Sequence, residues 1–458
     1  MLRRILVANR GEIAVRILRS CRRLGIETVL AVSDADADSR PARLADAAIR
    51  IGPAEPAASY LDVAAVVGAA LTAGADAVHP GYGFLAENPR LARACDTAGL
   101  VFIGPTAEQL DAVGDKLRAR GHAIAAGLPV VPGGEAPTAA AAAELAREIG
   151  WPVLIKAVGG GGGRGLRQVY RPVDLAQAVE RAMAEAESAF GDPRVYLERY
   201  VTPGRHVEVQ LLGDGTNVIH LGDRDCSMQR RYQKLLEEAP APLLDAGLRA
   251  GMRRAAVALG EYLGYRGLGT AEFLVDCGRG TFHFLEMNAR IQVEHPVTEA
   301  ICGLDLVAEQ IAIAEGRPLR LAQDDVELTG HAIECRINAE DWTYGFRPSP
   351  GTITRAVFPA GQGIRVDTHV QAGASVPPWY DSLLAKLIVS GRDRAEALER
   401  LRRALGRCQI SGVATTVPMH AELTAQAEFA RGGLDTAWCA RFLGPTTGRR
   451  SAAGGTVG

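Results

Sequence analysis

Five consecutive glycines, Gly159, Gly160, Gly161, Gly162 and Gly163, followed by Arg164 and Gly165, are the densest opportunity for anion chemistry in this chain. Backbone amides free of Cβ atoms can close on charged oxygens, and Arg164 adds positive charge. Residues 152–158, Lys156 among them, read as a strand and residues 166–170 as another, so the loop joins two strands. That context excludes a Walker phosphate loop, which needs Gly-Lys-Ser/Thr opening a helix, and the dinucleotide fingerprint, which also runs into a helix. A lid closing over a triphosphate fits. A loose hairpin is the plain alternative, although ordering five glycines is a costly way to turn a chain.

A second cluster is built from oxygens. Residues 269–276 and 281–288 read as two strands joined by a turn containing Gly278 and Gly280. With a period of two, Glu286 and Asn288 share a face, and Phe282 and Phe284 continue it toward the turn. Glu272 joins them only if it lies directly across from Glu286, and a slip of one residue would remove it. Such oxygens suit a hard cation like Mg²⁺, which takes one or two carboxylates and leaves room for phosphate. An edge hairpin with two solvated glutamates is the alternative. If the chain stays extended, Arg290, Gln292 and Glu294 prolong the same face. A guanidinium holds a small carboxylate-like anion with two bonds, and a nearby carboxylate can take a proton from it. Bicarbonate is such an anion; a structural Arg290–Glu294 ion pair is the competing account.

The elements that must hold these groups follow an α/β pattern. Residues 4–8, 12–24 and 27–32 read as strand, helix and strand, with the helix ended by Gly25. Ile13, Ile17, Cys21 and Leu24 form its apolar face, while Glu12, Arg16, Arg19 and Arg23 line another, read by default as solvated. A dinucleotide site would need three glycines after the first strand, and only Gly11 is there. The pattern runs to Gly104-Pro105, and a boundary falls near residue 112. From 151 to 287 strands alternate with helices, 174–190 among them, as in an α+β nucleotide-binding unit. A third segment opens near His331, and the end from 444, rich in Gly, Ser, Thr and Ala, reads as a disordered tail.

A length of 458 residues allows about three domains. Hydrophobic residues at 47% and charged residues at 23% mark an ordinary globular chain. A net charge of −2 gives no bulk attraction to nucleic acid or an anionic membrane, so anion sites must be local. Eight scattered cysteines without a CxxC pair argue against zinc or a disulfide framework and for a reducing cytoplasm. No run reaches the ~18 apolar residues of a membrane span, and the N-terminal apolar run is too short for a signal peptide.

Residues 5–14, 79–85, Lys156 with its glycine loop, 224–231, 286–299 and 334–341 resemble the biotin carboxylase family of the ATP-grasp superfamily, almost from end to end of the chain. The resemblance implies a Rossmann-like N-terminal domain over 1–111 and an ATP-grasp domain over 112–330, with its lid at about 130–200. A biotin carboxylase C-terminal domain over 331–443 and the tail 444–458 would complete the α/β and α+β multi-domain chain. It implies that Lys116, Lys156, Glu198, His206 and Gln229 surround ATP with Gly161, Gly162 and Gly163 of the lid. Glu272, Glu286 and Asn288 would hold Mg²⁺ or Mn²⁺ as a pair of ions. Lys234, Arg290, Gln292, Val293 and Glu294 would form the bicarbonate site, with Glu294 as general base. Arg336 would stabilise the biotin enolate, and Tyr82 would lie beside the biotin ring. Two positions depart from the pattern: Tyr232 stands where the family often has His, and Ala289 where it often has Thr or Pro.

The chemistry so implied places the γ-phosphoryl group of ATP on bicarbonate, with Mg²⁺, Lys116, Lys156 and the glycine loop neutralising the transferring charge. Carboxyphosphate then yields CO₂ and phosphate in a closed site, and N-carboxybiotin is the product. No methionine here is followed by Lys, so the Ala-Met-Lys-Met attachment sequence of biotin carriers is absent. The biotin carboxyl carrier protein and the carboxyltransferase are therefore expected on other chains. Acetyl-CoA carboxylase, in fatty acid biosynthesis, is the first expectation for the whole, with propionyl-CoA and pyruvate carboxylases next. The resemblance also implies a homodimer with Arg16 and Arg19 near its interface. Another ATP-grasp ligase would give no reason for Arg336 or for the strip ending at Glu294. A catalytically dead regulatory chain would have lost some of Lys116, Lys156, Lys234, Glu272 and Glu286, all of which are present.

Overall fold

Strand β1 (Arg4–Val7) is apolar after its first residue and buried along the rest, as a strand covered on both faces requires. It sits third in a parallel sheet of order β3-β2-β1-β4-β5, with β2 at Glu27–Ser33, β3 at Ala47–Gly52, β4 at Ala77–His79 and β5 at Val101–Phe102. Helix α1 (Gly11–Leu24) leads from β1 to β2 and ends at Gly25, whose φ of 71° suits glycine. The strand order reverses between β1 and β4, which opens a crevice at their carboxyl ends, the place where such sheets bind ligands. Asn9 crosses it, donating to the carbonyls of Pro80 and Tyr82 at 2.7 Å each.

The structure, a computed structural model, describes residues 1–159 and 165–444. The lid glycines Gly161, Gly162 and Gly163, with Gly160 and Arg164, and the tail after Gly444 lie outside the described residues.

The charged face of α1 corrects the expectation of a solvated surface. Glu12 and Arg16 are 2% and 4% exposed. Lys386 pairs with Glu12 at 3.0 Å, and Arg16 donates to Glu299 and Asp305 at 2.6 Å each. Helical spacing shows that charges share a face; it does not show that distant carboxylates and a lysine fold back to meet them. Arg19 and Arg23 do point outward.

A smaller sheet of order β6-β9-β7-β8 follows, from β6 (Gly133–Glu135), β7 (Val153–Ala157), β8 (Leu166–Val169) and β9 (Val195–Arg199). Helices Ala139–Ile149 and Leu175–Phe190 cover it, and Val153, Ile155, Val179 and Leu197 give it a core of its own. The second helix begins one residue later than expected because Asp174 belongs to the 3-10 turn Pro172–Asp174. Lys156 pairs with Leu166 across β7 and β8, so the glycine run joins two antiparallel strands.

The third sheet carries the chemistry. Its strands include β10 (Gly204–Asp214), β11 (Val218–Arg230), β12 (Gln233–Ala239), β13 (Arg266–Asp276), β14 (Thr281–Asn288) and β15 (His331–Asn338). The antiparallel order is β14-β13-β10-β11-β12-β15, continued by strands Leu383–Gly391 and Ile364–Thr368. Because β12 pairs directly with β15, the sheet runs unbroken from the carboxylate hairpin into the last third of the chain. Among the described residues no helix is long and apolar enough to cross a membrane.

Candidate active site

All the expected site residues that are described line one cavity of about 840 Å³, bounded by the N-terminal crevice, the small sheet and the large sheet. Tyr82 comes from the crevice; Lys116, Lys156, Glu198, His206 and Gln229 line the cavity together with Lys234, Arg290, Gln292, Val293, Glu294 and Arg336. Glu272, Glu286 and Asn288 line it too, and Glu272 meets both His206 and Lys234.

The hairpin register explains this convergence. Glu272 lies directly across from Glu286, and Thr270 from Asn288, as the site requires. A bulge then shifts the pairing, so that Phe273 faces Phe284. The expectation that Phe282 and Phe284 continue the Glu286 face is thereby overturned: both pack with Phe273, at ring distances of 5.5 and 6.2 Å, on the core side. One inserted residue sends the oxygens to the cavity and the aromatics to the core.

Nor does the chain remain extended to Glu294. The strand ends at Asn288, and Val293 and Glu294 turn into helix His295–Cys302. Arg290, Gln292 and Glu294 still reach the cavity, while Ala289 and Ile291 are buried on the other side. The alternative Arg290–Glu294 ion pair is replaced. Arg290 pairs with Glu87 at 2.9 Å and donates to Asn288 Oδ1 at 2.9 Å. Glu294 instead accepts from Lys234 at 2.6 Å and from Arg336 at 2.9 Å.

Glu208 and Arg224 complete the centre, and Glu208 is not among the residues that the sequence singles out. Lys234 donates to Glu208 at 2.6 Å and to Glu272 at 3.0 Å, as well as to Glu294. Arg224, fully buried, donates to Glu208 at 2.5 Å and to Gln292 at 2.7 Å. A signal exists: His206, Glu208 and Gln210 alternate with Val207, Val209 and Leu211, a polar file inside a buried strand. Glu87, the partner of Arg290, sits in a loop with no such period.

Burial alone would raise the proton affinity of Glu294, but Lys234, Arg336 and Arg224 outweigh it and hold the carboxyl well below the usual range. Glu272 is likewise held low despite burial, by Lys234 and His206, with His206 at 2.8 Å. Glu286 goes the other way, pushed up by burial and by Glu272 opposite. Two carboxylates facing one another beside an amide oxygen are a hard-oxygen donor set that a divalent cation would relieve. Elsewhere in the cavity Lys156 pairs with Glu198 at 2.5 Å, which keeps it charged against burial, while burial lowers Lys116. Tyr232 has a φ of 65°, and its hydroxyl accepts from Gln168 on β8 at 3.2 Å, so the departing residue touches the small sheet.

A small sheet poised over a larger antiparallel one, with lysines and carboxylates between them, defines an ATP-grasp ligase. Family models match residues 1–110 as biotin carboxylase N-terminal domain and 115–322 as carbamoyl-phosphate synthase L chain ATP-binding domain. A third matches 334–441 as biotin carboxylase C-terminal domain. The chain belongs to the biotin carboxylase family. A biotin carboxylase of Nostoc sp. is 50% identical over 438 residues, 95% of this chain and 98% of that one. One of the chains of pyruvate carboxylase from Methanothermobacter thermautotrophicus is 50% identical over 439 residues, 95% and 89% of the two chains. Among solved structures, the biotin carboxylase domain dimer of Hydrogenobacter thermophilus 2-oxoglutarate carboxylase, in complex with MgADP, ADP and bicarbonate, is 44% identical. It superposes with a TM-score of 0.93, covering 98% of this chain and 100% of that one.

Proposed function

We propose that the protein uses ATP and bicarbonate to carboxylate biotin borne on a separate carrier chain, releasing N-carboxybiotin, ADP and phosphate. The observation that carries this is Glu294 held between Lys234 at 2.6 Å and Arg336 at 2.9 Å, beside Arg290 and Gln292. Arg290 offers a planar guanidinium and Gln292 an amide to a small anion, with Val293 closing the site, and Glu294 takes the proton. Ion-paired as it stands, Glu294 is a weak base; bicarbonate drawing Lys234 toward its own oxygens restores its proton affinity when proton transfer is needed. Lys116 and Lys156 oppose the charge on the γ-phosphoryl group, and Glu198, His206, Gln229 and the lid glycines surround the nucleotide. Glu272, Glu286 and Asn288 would hold Mg²⁺ or Mn²⁺, as a pair of ions. When bound, these supply charge neutralisation on the phosphate oxygens. Arg336 stabilises the biotin oxygen as the ureido proton leaves, with Tyr82 beside the ring, in a site closed to water.

The relatives are named for different whole enzymes, pyruvate and 2-oxoglutarate carboxylases among them, which supports a carboxyltransferase chain that sets the acceptor. Acetyl-CoA carboxylase remains our first assignment, and the cytoplasm the location. We further propose domains over 1–111, 112–330 and 331–443, and a homodimer formed near Arg16 and Arg19. Bicarbonate-dependent ATP hydrolysis, measured with and without free biotin, tests the activity. Biotin should stimulate phosphate release, and a rate indifferent to biotin would sink the reading.

A further inference from the structure

Behind Arg336 lies a pair of carboxyls that neither bicarbonate nor ATP explains. Glu334 of β15 pairs directly with Glu237 of β12, and paired residues project to the same side of a sheet. That side also carries Arg336 and, across from it, Lys386, beneath helix His295–Cys302. Glu237 and Glu334 are both fully buried. Glu237 Oε1 accepts from Arg336 Nε at 2.6 Å, but Glu237 Oε2 and both oxygens of Glu334 have no hydrogen-bond partner among the described residues.

Every neighbouring cation is already committed. Lys386 bonds the Val293 carbonyl at 2.9 Å and pairs with Glu12 at 3.0 Å. Lys234 serves three other carboxylates, and Arg336 joins Glu237 to Glu294. His295, at the start of the covering helix, is held neutral by burial and by Lys386, and its Nδ1 lies 2.7 Å from the Gln292 carbonyl. Two ionised carboxylates with three buried, unpaired oxygens between them are untenable; a carboxylic acid supplies the missing donor.

We infer that Glu334 is a positioning residue for Arg336: as a neutral acid it donates to Glu237, leaving Glu237 ionised to hold the guanidinium from behind while Glu294 holds it from the cavity. Burial and Glu237 raise Glu334 well above the usual carboxylate range, which agrees. Glu237 itself is pushed up by burial to about 7, so acidification weakens its hold on Arg336 and leaves Glu294 as the guanidinium's remaining anionic partner. The functional half of the inference rests on Arg336 acting at biotin.

Infrared difference spectra of the full chain against E334Q test the proton itself. The wild type should show the carbonyl stretch of a protonated acid that E334Q lacks; no lost band overturns the inference whatever Arg336 does. Kinetics test positioning. E334Q, whose amide can still donate, should keep the KM for biotin within about twofold, and E334L should raise it roughly tenfold or more, because the charged hydrogen bond goes unsupported. An acid limb of biotin-stimulated turnover that moves to lower pH in E334Q would mean that Glu334 had been charged, and the inference falls. If R336A leaves the KM for biotin unchanged, the reading of Arg336 is what fails, while the infrared band still decides the protonation of Glu334.

Discussion

Two clefts of nearly equal size, about 840 and 820 Å³, are lined by charged residues on opposite plans. The second lies between α1 and the far end of the large sheet, and every carboxylate that lines it is matched by at least one arginine. Arg16 meets Glu299 and Asp305, Arg365 meets Asp367 at 2.6 Å, and Arg19 meets Asp367 at 3.6 Å. In the first, Lys234 is shared among three carboxylates, while the side chains of Lys116 and Glu286 have neither a hydrogen bond nor an ion pair among the described residues. Matched charges hold a fold or an interface together. Unmatched ones keep interaction energy available for a ligand, at the cost of leaving charge poorly solvated in its absence.

The largest effect that tests this contrast is the loss of Glu294. E294Q keeps the shape of the open cleft but removes the base, so biotin-stimulated phosphate release should fall by about 10²–10⁴-fold. Retained stimulation would break the assignment of the cleft. In the matched cleft, R16A takes the buried guanidinium from Glu299 and Asp305, which keep Arg365 and Arg23, so the loss should be that of a hydrogen bond to a charged group, about 1.5–3 kcal/mol of stability. Urea unfolding checks it: an unchanged midpoint would mean that Arg16 was not a structural partner.

The two clefts also differ in how far the sequence reveals them. Period-two reasoning brings Glu272, Glu286 and Asn288 together correctly because an antiparallel hairpin is local, and its register follows from the chain itself. It fails one residue later, at the bulge before Phe284, because a bulge answers core packing and not a motif. Arg16 reads as a surface residue because its partners lie on elements some 280 positions away in the chain. Glu87 escapes for a similar reason: a loop has no period, and its contact with Arg290 exists only once the N-terminal sheet docks. Residues known only through the family resemblance, such as Tyr82 and Arg336, reach the cavity as well, through the β1/β4 crevice and the β12–β15 pairing.

A smaller effect belongs to His295, fully buried with Lys386, Arg16 and Arg365 nearby. Burial and those cations hold it well below the ordinary histidine value. The folded form thus binds fewer protons than the unfolded chain once pH drops below about 6.5. The stability this contributes is complete above that pH and is lost on acidification, at up to about 1.4 kcal/mol per pH unit. Unfolding free energies measured across this range should fall more gently in H295Q than in the wild type. Equal slopes would detach His295 from the acid sensitivity.

Smallest of all is R23A. Arg23 pairs with Asp305 at the mouth of the matched cleft, yet its side chain is 64% exposed. Asp305 already has Arg16 and Ser20 as partners, so the outer arginine adds little. Water screens an exposed pair, and its loss should change monomer stability by less than about 1 kcal/mol, an amount further reduced by salt. The informative measurement is the concentration dependence of dissociation. If two chains meet over this cleft, Arg23 is desolvated only in the dimer, and R23A should weaken association while barely moving unfolding of the single chain. An association constant as insensitive as the unfolding midpoint would leave the matched cleft a feature of the monomer fold alone.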